Sequence, residues 1–379
     1  MLFFTNMFLP TTKSELDKLG WKKLDVILVS GDTYIDSSFS GIAVIGKILL
    51  NAGYKVGIIA QPDIQSEKDI KRLGQPELFW GVSSGCVDSM VANFTASKKR
   101  RRHDDFTPGG INNKRPDRAV IVYSNLIRQY FKNTKPIVLG GIEASLRRVS
   151  HYDYWSDKIR KSILFDSKAD YLVYGMGEKA ILEIAQKLSN NETVEDTSGI
   201  CYISKEIKEG YINLPSFGEV NADKNNFIKM FHLFYNNNDP VSAKGLCQNH
   251  GDRYLIQNPP SPNPSREALD SFYNLDYERD VHPYYKKDGD VKALETIKFS
   301  ITTHRGCYGE CNFCAISVHQ GTTVVSRSED SIIKEAKTIA KHSDFKGYIA
   351  DVGGPTANMY AIECDHKLKH GICVKKDCV

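Results

Sequence analysis

Short apolar runs alternate with amphipathic stretches over the first 190 residues. DVILVS (25–30) and KVGIIA (55–60) have the pattern of buried strands, and IAVIGKILLNAG (42–53) between them has helical spacing that ends at a glycine. The same pattern predicts strands within 78–84, 136–141 and 171–175 and a helix over 178–189. This alternation is typical of an α/β domain with a doubly wound parallel sheet covered by helices.

The pattern changes after residue 204. Residues 205–295 carry Asn-rich and Pro-rich stretches with scattered aromatic residues, and we interpret them as a connecting segment that packs on both neighbours. IKFSITT (297–303) restarts the alternation. We therefore predict three parts: an α/β domain over 1–204, the connecting segment 205–295, and the start of a second α/β unit over 296–379.

Polar and glycine residues follow several of the predicted strands, where ligands of doubly wound sheets bind. They are Asp32, Asp36, Ser83–Cys86, Gly140–Glu143 and Gly175–Glu178. The glycines suit either the close approach of a ligand or tight turns, and the sequence leaves both interpretations open. No GxGxxG follows the first strand, so the nicotinamide-type fingerprint is absent.

Composition places the chain among ordinary globular proteins. It has 379 residues, 41% hydrophobic and 25% charged, with a net charge of +4. The run Lys98–Arg102 supplies five of the positive charges, and a solvated loop is the favoured interpretation of it. The N-terminus has no basic region before its apolar start, and no run of 18 apolar residues occurs, so we predict a cytoplasmic protein without a membrane span.

Three of the nine cysteines, Cys307, Cys311 and Cys314, lie in one loop directly after the predicted strand 297–303. In a reducing compartment such a group favours metal binding over disulfides. Structural zinc usually takes four ligands from C-x2-C pairs, whereas this spacing is C-x3-C-x2-C. Three thiolates can hold three corners of a 4Fe-4S cluster and leave the fourth iron open, so we predict such a cluster.

The other six cysteines form two sets. One set near the C-terminus either binds a second cluster or zinc, or carries unligated thiols, and both alternatives stay open; it comprises Cys364, Cys373 and Cys378. The second set is spread along the chain and is interpreted as ordinary buried residues; it comprises Cys86, Cys201 and Cys247.

The cysteine loop, with Phe313 in an aromatic position, resembles the radical S-adenosylmethionine superfamily. THRGCYGECNFCAISVHQG, GGIEASLRRVSHYDYW, DVGGPTANMY and NPPSP together resemble the YgiQ-type proteins of that superfamily over nearly the whole chain. The resemblance implies that residues 296–379 begin a partial (β/α) barrel. It also implies that members continue beyond residue 379, so we expect the sequence to be truncated at its C-terminus.

This resemblance also implies cofactors and roles. The open iron of the cluster would chelate S-adenosylmethionine, whose reductive cleavage would start radical chemistry on an unknown substrate. Phe313 would lie on the adenine side, and Gly353 and Gly354 would contact the methionine end, although Pro355 replaces the usual acidic residue. An external one-electron donor such as flavodoxin or ferredoxin would be required.

The N-terminal domain resembles cobalamin-binding domains in GGIEAS and in ADYLVYGMGEKAILEI (169–184), but the DxHxxG cobalt-ligand motif is missing. Cobalamin without a protein histidine ligand stays open, and an empty domain of the same ancestry is favoured. HYDYW (151–155) follows Arg147 and Arg148, and it either lines a cleft between the domains or packs its aromatic rings.

Two alternative functions involve RNA. In one, the cysteines hold a structural metal and the basic run grips phosphate, but the modest net charge and the lack of recognisable aromatic platforms count against a nucleic-acid partner. The other is an RNA-modifying methylthiotransferase, which would need a second three-cysteine cluster that Cys86 alone cannot supply.

Overall fold

The computed structural model describes residues 7–354, 357–371 and 373. Its strands are β1 (Val26–Ser30), β2 (Ile35–Asp36), β3 (Val56–Ala60), β4 (Phe79–Ser83), β5 (Ile137–Leu139), β6 (His151–Asp153), β7 (Lys158–Arg160), β8 (Tyr171–Val173), β9 (Ile200–Ser204), β10 (Ile212–Leu214), β11 (Leu246–Asn249), β12 (Tyr254–Gln257), β13 (Asp280–Val281), β14 (Ser300–Thr302), β15 (His304–Arg305), β16 (Val325–Ser326) and β17 (Asp351–Gly353).

Helices separate most of these strands, together with one 3-10 turn at Pro108–Gly110. They are α1 (Lys13–Lys18), α2 (Gly41–Asn51), α3 (Lys68–Lys71), α4 (Ser89–Asn93), α5 (Ala119–Tyr130), α6 (Gly141–Leu146), α7 (Ile163–Ser167), α8 (Glu178–Ser189), α9 (Phe217–Ala222), α10 (Lys224–Asn236), α11 (Arg266–Tyr273), α12 (Pro283–Lys286), α13 (Ala293–Ile297), α14 (Ile316–Gln320), α15 (Glu329–Ala340) and α16 (Asp365–His370).

A nine-stranded sheet forms the main body, in the order β10-β11-β12-β9-β8-β5-β4-β1-β3. The neighbouring strands β3, β1, β4, β5 and β8 are all parallel. The sheet continues through β9, β12 and β11 by antiparallel pairs, and β10 pairs parallel to β11. The predicted α/β class with a large parallel sheet is therefore confirmed.

Both faces of the sheet are covered, which explains why all five residues of β1 are buried. Side chains alternate along a strand, so Ile27 joins one hydrophobic core with Tyr123 of α5, whereas Leu28 joins the core on the other face with Leu49 of α2. Helix α8 contributes Ile184 to the second core. The helices thus lie on both faces, as the alternating pattern indicates.

The segment 205–295 differs from the predicted connector, because β10, β11 and β12 belong to the main sheet. Strands LCQN and YLIQ are short and mix apolar with amide side chains, so they lack the continuous apolar run of the earlier strands. Their alternate residues still reach the two cores, as Cys247 and Ile256 join one and Leu246 and Leu255 the other. The sheet does not end at residue 204.

The later part of this segment contacts the first strands and the C-terminal unit. Strand β13 pairs with β2, and the hydroxyl of Tyr285 accepts a hydrogen bond from the Ala60 N–H at 2.8 Å. Helix α11 contributes Tyr273 to a small hydrophobic cluster that also contains Val325 of β16. This part therefore packs between the main sheet and the residues that follow it.

Strands β14 and β17 pair in parallel, with Thr302 opposite Gly353, and α15 lies between them in the chain. The hydroxyl of Ser328 accepts from the Ser331 N–H at 3.1 Å and so caps the start of α15. The chain after residue 296 thus contains a strand, a helix and a second strand in parallel with the first. Within the part of the chain that the structure describes, no helix is both long and apolar enough to cross a bilayer.

Candidate functional site

A cavity of about 430 Å³ lies between the carboxyl edge of the parallel strands and the segment that carries the cysteine loop. The sheet contributes the residues that follow β1, β4, β5 and β8, and they include Asp32, Ser83, Gly85, Cys86, Gly140–Ile142 and Gly175–Glu178. The opposite wall includes Tyr273, Thr302, Arg305, Ile316, His319, Gln320 and Gly354. The prediction that the strand-end residues share one edge is confirmed for this set.

Asp36 and Glu143 do not line this cavity. Asp36 is fully buried and pairs with Lys47 at 3.1 Å. The Glu143 carboxylate accepts from the Ser89 N–H at 2.8 Å and from the Val120 N–H at 3.2 Å. Each carboxylate instead accepts from buried donors nearby.

Two long helices begin at the cavity without a side-chain cap. Helix α2 starts after Ser40 and α8 after Gly177, and neither N-cap side chain accepts a hydrogen bond from its helix. The first turn of a helix has unpaired N–H groups and a partial positive charge. Ser38, which also lines the cavity, is 5% exposed, and its hydroxyl has no hydrogen-bond partner among the described residues. These donors suit an anionic or carbonyl-bearing ligand.

A buried ion-pair network supports the cavity floor. Arg115 Nη1 lies 2.6 Å from Asp32 Oδ1, and Arg115 Nη2 lies 3.0 Å from Asp104 Oδ2. The Cys86 N–H donates to Asp32 Oδ2 at 2.6 Å. Burial raises the pKa of Asp32, while the Arg115 charge opposes that shift. The loop after β4 is therefore fixed to the loop after β1 through Asp32.

Arg305 joins the cysteine-loop segment to the sheet. Its guanidinium pairs with the Glu178 carboxylate at the start of α8, and its Nε donates to the Tyr273 hydroxyl at 2.9 Å. Burial acts to lower the pKa of Arg305, but the Glu178 carboxylate and the Tyr273 hydroxyl together outweigh it and the pKa is raised. Since Arg305 lies two residues before Cys307, this pair anchors the loop against the cavity wall.

His319 follows the cysteine loop on α14 and lines the cavity. Burial lowers its pKa to about 4, and the positive charge of Arg148 acts in the same direction. Its Nδ1 has no hydrogen-bond partner among the described residues. At neutral pH the ring is therefore a neutral imidazole.

The cysteine loop places two thiols beside Gly309. Cys307 is 8% exposed, Cys314 is half-buried and Cys311 is exposed. A Cβ added at Gly309 would lie 3.4 Å from Cys307 Sγ and 3.5 Å from Cys311 Sγ, and the Gly309 N–H donates to Cys307 Sγ at 3.3 Å. Gly309 therefore lies beside both sulfurs, and thiolates are the ligands that iron–sulfur clusters use. The loop thus fits a cluster at its sulfur-bearing side.

The three loop thiols do not converge on one point. Across residues 7–354, 357–371 and 373, no group of three or more His, Cys, Asp or Glu side chains is arranged to hold a single ion. In a cubane cluster each thiolate binds a different iron, so its ligands do not share a centre. Phe313, predicted to face adenine, is 93% exposed.

The glycine pair after β17 lies beside His304. The carbonyl of Gly353 accepts from the Thr303 N–H at 2.8 Å, and Gly354 lines the cavity. A Cβ at Gly354 would lie 2.3 Å from His304 Nε2, whereas at Gly353 the nearest atom, Asp351 Oδ1, is 3.8 Å away. Pro355 lies outside the described residues. The close approach therefore requires glycine at the second position of the pair and not at the first.

Gly354→Ala is expected to lower stability by about 1–3 kcal/mol, because the added methyl overlaps the His304 ring. Gly353→Ala is the matched control and should cost less than about 1 kcal/mol, since it meets no atom closer than 3.8 Å. Urea unfolding followed by circular dichroism measures both. Equal losses in the two variants would contradict this account of the glycine pair.

The remaining cysteines fall into different environments. Cys201 and Cys247 are buried, as predicted. Cys86 is exposed and lines the cavity, so its interpretation as a buried residue is wrong. Cys364 and Cys373 are half-buried, and Cys378 lies outside the described residues. The HYDYW segment does not line the cavity; its Trp155 packs on Phe94, with ring centroids 5.4 Å apart.

The cavity residues that were not singled out from the sequence include Ser38, Tyr273, Arg305 and His319. Arg305 and His319 flank the cysteine loop, and their position next to a metal-ligand motif is the signal that could have found them. Tyr273 ends α11 and reaches the site only through tertiary packing, for which the sequence offers no local signal.

Comparison with known proteins gives the family. The family model described as Radical SAM N-terminal matches residues 8–300. A UPF0313 protein of Fusobacterium nucleatum is 62% identical over 373 residues, covering 98% of this chain and 66% of that protein. A UPF0313 protein of Thermotoga maritima is 55% identical over 372 residues, covering 97% and 65%. The chain belongs to the Radical SAM N-terminal family, which confirms the resemblance to YgiQ-type radical S-adenosylmethionine proteins.

The chain spans about two thirds of the length of these two relatives. Among solved structures, it is similar to the radical S-adenosylmethionine methyltransferase TsrM of Kitasatospora setae with cobalamin and a 4Fe-4S cluster bound, at 16% identity and a TM-score of 0.47, covering 88% of this chain and 47% of that one. A second is the cobalamin-dependent radical enzyme OxsB, at 14% identity and a TM-score of 0.39, covering 84% and 32%.

Proposed function

We propose that this chain forms the N-terminal part of a radical S-adenosylmethionine enzyme in which Cys307, Cys311 and Cys314 hold a 4Fe-4S cluster. The observation that carries the proposal is the pair of sulfurs flanking Gly309 in a loop whose two ends, Arg305 and Ile316, line the cavity. When bound, such a cluster supplies the electron that cleaves S-adenosylmethionine. The loop therefore belongs to a site large enough for a small-molecule ligand.

The cavity residues bind and orient what enters the site. The first turns of α2 and α8 offer N–H donors, and the unpartnered hydroxyl of Ser38 adds another. Apolar side chains such as Val82 and Leu139 line the same space and exclude water. Neutral His319 can accept a proton at Nδ1.

The methionine end of S-adenosylmethionine would lie at Gly354, where a side chain would collide with His304. The adenine side would be that of Phe313, whose ring is free to pack on a ligand. The Arg305–Glu178 ion pair fixes the position of the cysteine loop relative to the cavity. An external one-electron donor such as flavodoxin or ferredoxin would supply the reducing equivalent in the cytoplasm.

Cobalamin is the less favoured occupant of the cavity. Among the described residues, the loops that follow β1, β4, β5 and β8 contribute no histidine to the cavity lining. His319 comes from the opposite wall, on α14. A cobalamin bound here would therefore have no histidine from the sheet edge, in line with the missing DxHxxG motif.

Anaerobic reconstitution with iron and sulfide is expected to give a broad brown absorbance and about four irons per chain. The reconstituted protein should then form 5'-deoxyadenosine from S-adenosylmethionine under a strong reductant. Iron, sulfide, zinc and cobalt analyses measure the first result, and chromatography measures the second. Stoichiometric zinc without labile sulfide would contradict the proposed cluster.

A further inference from the structure

Two segments that are far apart in sequence form one exposed surface. The basic run Lys98–Arg102 lies against the hairpin formed by β6 and β7. The Tyr154 hydroxyl donates to the Ala96 carbonyl at 2.6 Å, and Lys98 Nζ lies 4.6 Å from the centre of the Tyr154 ring. We call residues 94–103 and 151–160 together the basic-aromatic surface.

The basic run is held by its own backbone. Phe94 and Arg100 form an antiparallel bridge, and the Thr95 N–H donates to the Lys99 carbonyl at 2.8 Å. The Lys98 N–H donates to the Thr95 carbonyl at 2.9 Å, and His103 forms a second bridge with Ile111. These bonds fix the backbone that carries the charged side chains, unlike the backbone of a free solvated loop.

Four of the five cations form no ion pair with an acidic side chain among the described residues. Arg100 pairs with Asp117, and Arg101 donates to the backbone carbonyls of Val91 and Phe94. The other three are exposed and form no ion pair with an acidic side chain among the described residues; they are Lys98, Lys99 and Arg102. The surface therefore presents uncompensated positive charge, which favours an anionic partner.

Exposed aromatic rings lie beside these charges. Tyr152 is 49% exposed and Tyr154 is 47% exposed. Tyr154 packs edge-on against Trp155, which in turn packs on Phe94, so Tyr154 is backed by two further rings. Rings next to lysine and arginine are the combination with which proteins bind single-stranded nucleic acids, because bases stack on rings while cations contact phosphates.

The surface is joined to the cavity through two short helices. The five-residue α4 connects the Ser83–Cys86 loop to Phe94, and the six-residue α6 lies between the Gly140 turn and the β6–β7 hairpin. An ion pair between Asp88 and Arg147 ties the two segments together. Two short chain segments, tied to each other by this ion pair, therefore connect the surface to the cavity loops.

We propose that the basic-aromatic surface binds single-stranded nucleic acid, with phosphates at Lys98, Lys99 and Arg102 and bases stacked on Tyr152 and Tyr154. The proposal goes beyond the proposed function, because this surface contains none of the three loop cysteines and binding needs neither a cluster nor S-adenosylmethionine. Exposed tyrosines beside the cations favour nucleic acid over a lipid surface, because positive charge alone is enough to bind anionic lipid headgroups.

Fluorescence anisotropy with a labelled 16-nucleotide oligouridylate, in low salt and without cluster, tests the proposal. The triple variant Lys98→Glu, Lys99→Glu and Arg102→Glu should weaken binding by about 100-fold or more and reduce the slope of log K against log salt by about 2, since each phosphate contact contributes about 0.7. The control variant Lys13→Glu, Lys18→Glu and Lys22→Glu changes the net charge equally at exposed positions elsewhere and should bind nearly as the parent protein does.

The aromatic contribution is tested separately. Tyr152→Ala and Tyr154→Ala should each weaken binding about tenfold with the salt slope unchanged, whereas Tyr348→Ala, at another exposed tyrosine, should have no effect. Circular dichroism confirms that each variant is folded. Equal weakening by both charge variants, no binding by the parent protein, or equally tight binding to phosphatidylserine vesicles would overturn the proposal. None of these outcomes depends on iron content, so failure here leaves the cluster proposal untouched.

Discussion

Cys311→Ala is expected to abolish binding of the iron–sulfur cluster. Three thiolates of one loop would hold three corners, and removing one leaves only two, so iron should fall from about four per chain to nearly none after reconstitution. Because Cys311 is exposed, its replacement leaves no internal cavity, and the fold should remain stable. Iron and sulfide content, visible absorbance and the melting temperature measure the two effects separately.

Cys201→Ala is the matched control. This residue is fully buried in the sheet core, so its replacement should reduce stability by about 1 kcal/mol and leave the iron content unchanged. Cys364→Ala addresses the C-terminal cysteines, since a partial loss of iron would indicate that they bind a second cluster. Full iron retention in Cys311→Ala, or equal iron loss in Cys311→Ala and Cys201→Ala, would show that the proposed ligand set is wrong.

The sequence correctly predicts the strands and helices that have a local hydrophobic pattern. Strand β1 and helix α8 appear where continuous apolar runs and helical spacing place them, and α8 spans the predicted residues 178–189. The carboxyl-edge argument also predicts most of one cavity wall, because parallel strands of a covered sheet end at the same edge. These features depend on hydrophobic periodicity and on a general rule of sheet topology. Both can be recognised in the sequence without knowledge of tertiary contacts.

Features that depend on tertiary pairing could not be predicted in this way. Strands β10–β12 are three or four residues long and join the sheet through partners that lie well apart in the chain. Asp36 forms a buried ion pair with Lys47, and no local sequence pattern indicates this pairing. Exposure of Cys86 follows from the position of its loop at the cavity, where Asp32 accepts from its backbone N–H.

The basic run shows a further limit of local interpretation. In sequence, Lys98–Arg102 and HYDYW are separate motifs, and each has an ordinary structural explanation. The fold brings them into contact through Tyr154 and Lys98. Neither segment alone therefore indicates the proposed basic-aromatic surface.

Arg115→Met is expected to destabilise the protein by about 3–5 kcal/mol at neutral pH. Arg115 is fully buried and pairs with Asp32 and Asp104, whose side chains are each 4% exposed. Removing one partner of a buried ion pair leaves an uncompensated charge, and here two carboxylates lose the same cation. Methionine fills much of the same space, so the loss reflects charge more than volume. The midpoint of urea unfolding measures it.

Arg100→Met is the control, because its pair with Asp117 is 49% and 39% exposed and should contribute less than about 1 kcal/mol.

The loss of stability caused by Arg115→Met should also become smaller as the pH falls. Burial already raises the pKa of Asp32, and without Arg115 that pKa rises further, so the folded variant takes up a proton at a pH where its unfolded chain does not. Lower pH therefore favours the folded variant more than the folded parent protein. A deficit that is constant or grows between pH 8 and pH 5 would show that Arg115 stabilises the cavity floor by packing and not by neutralising Asp32.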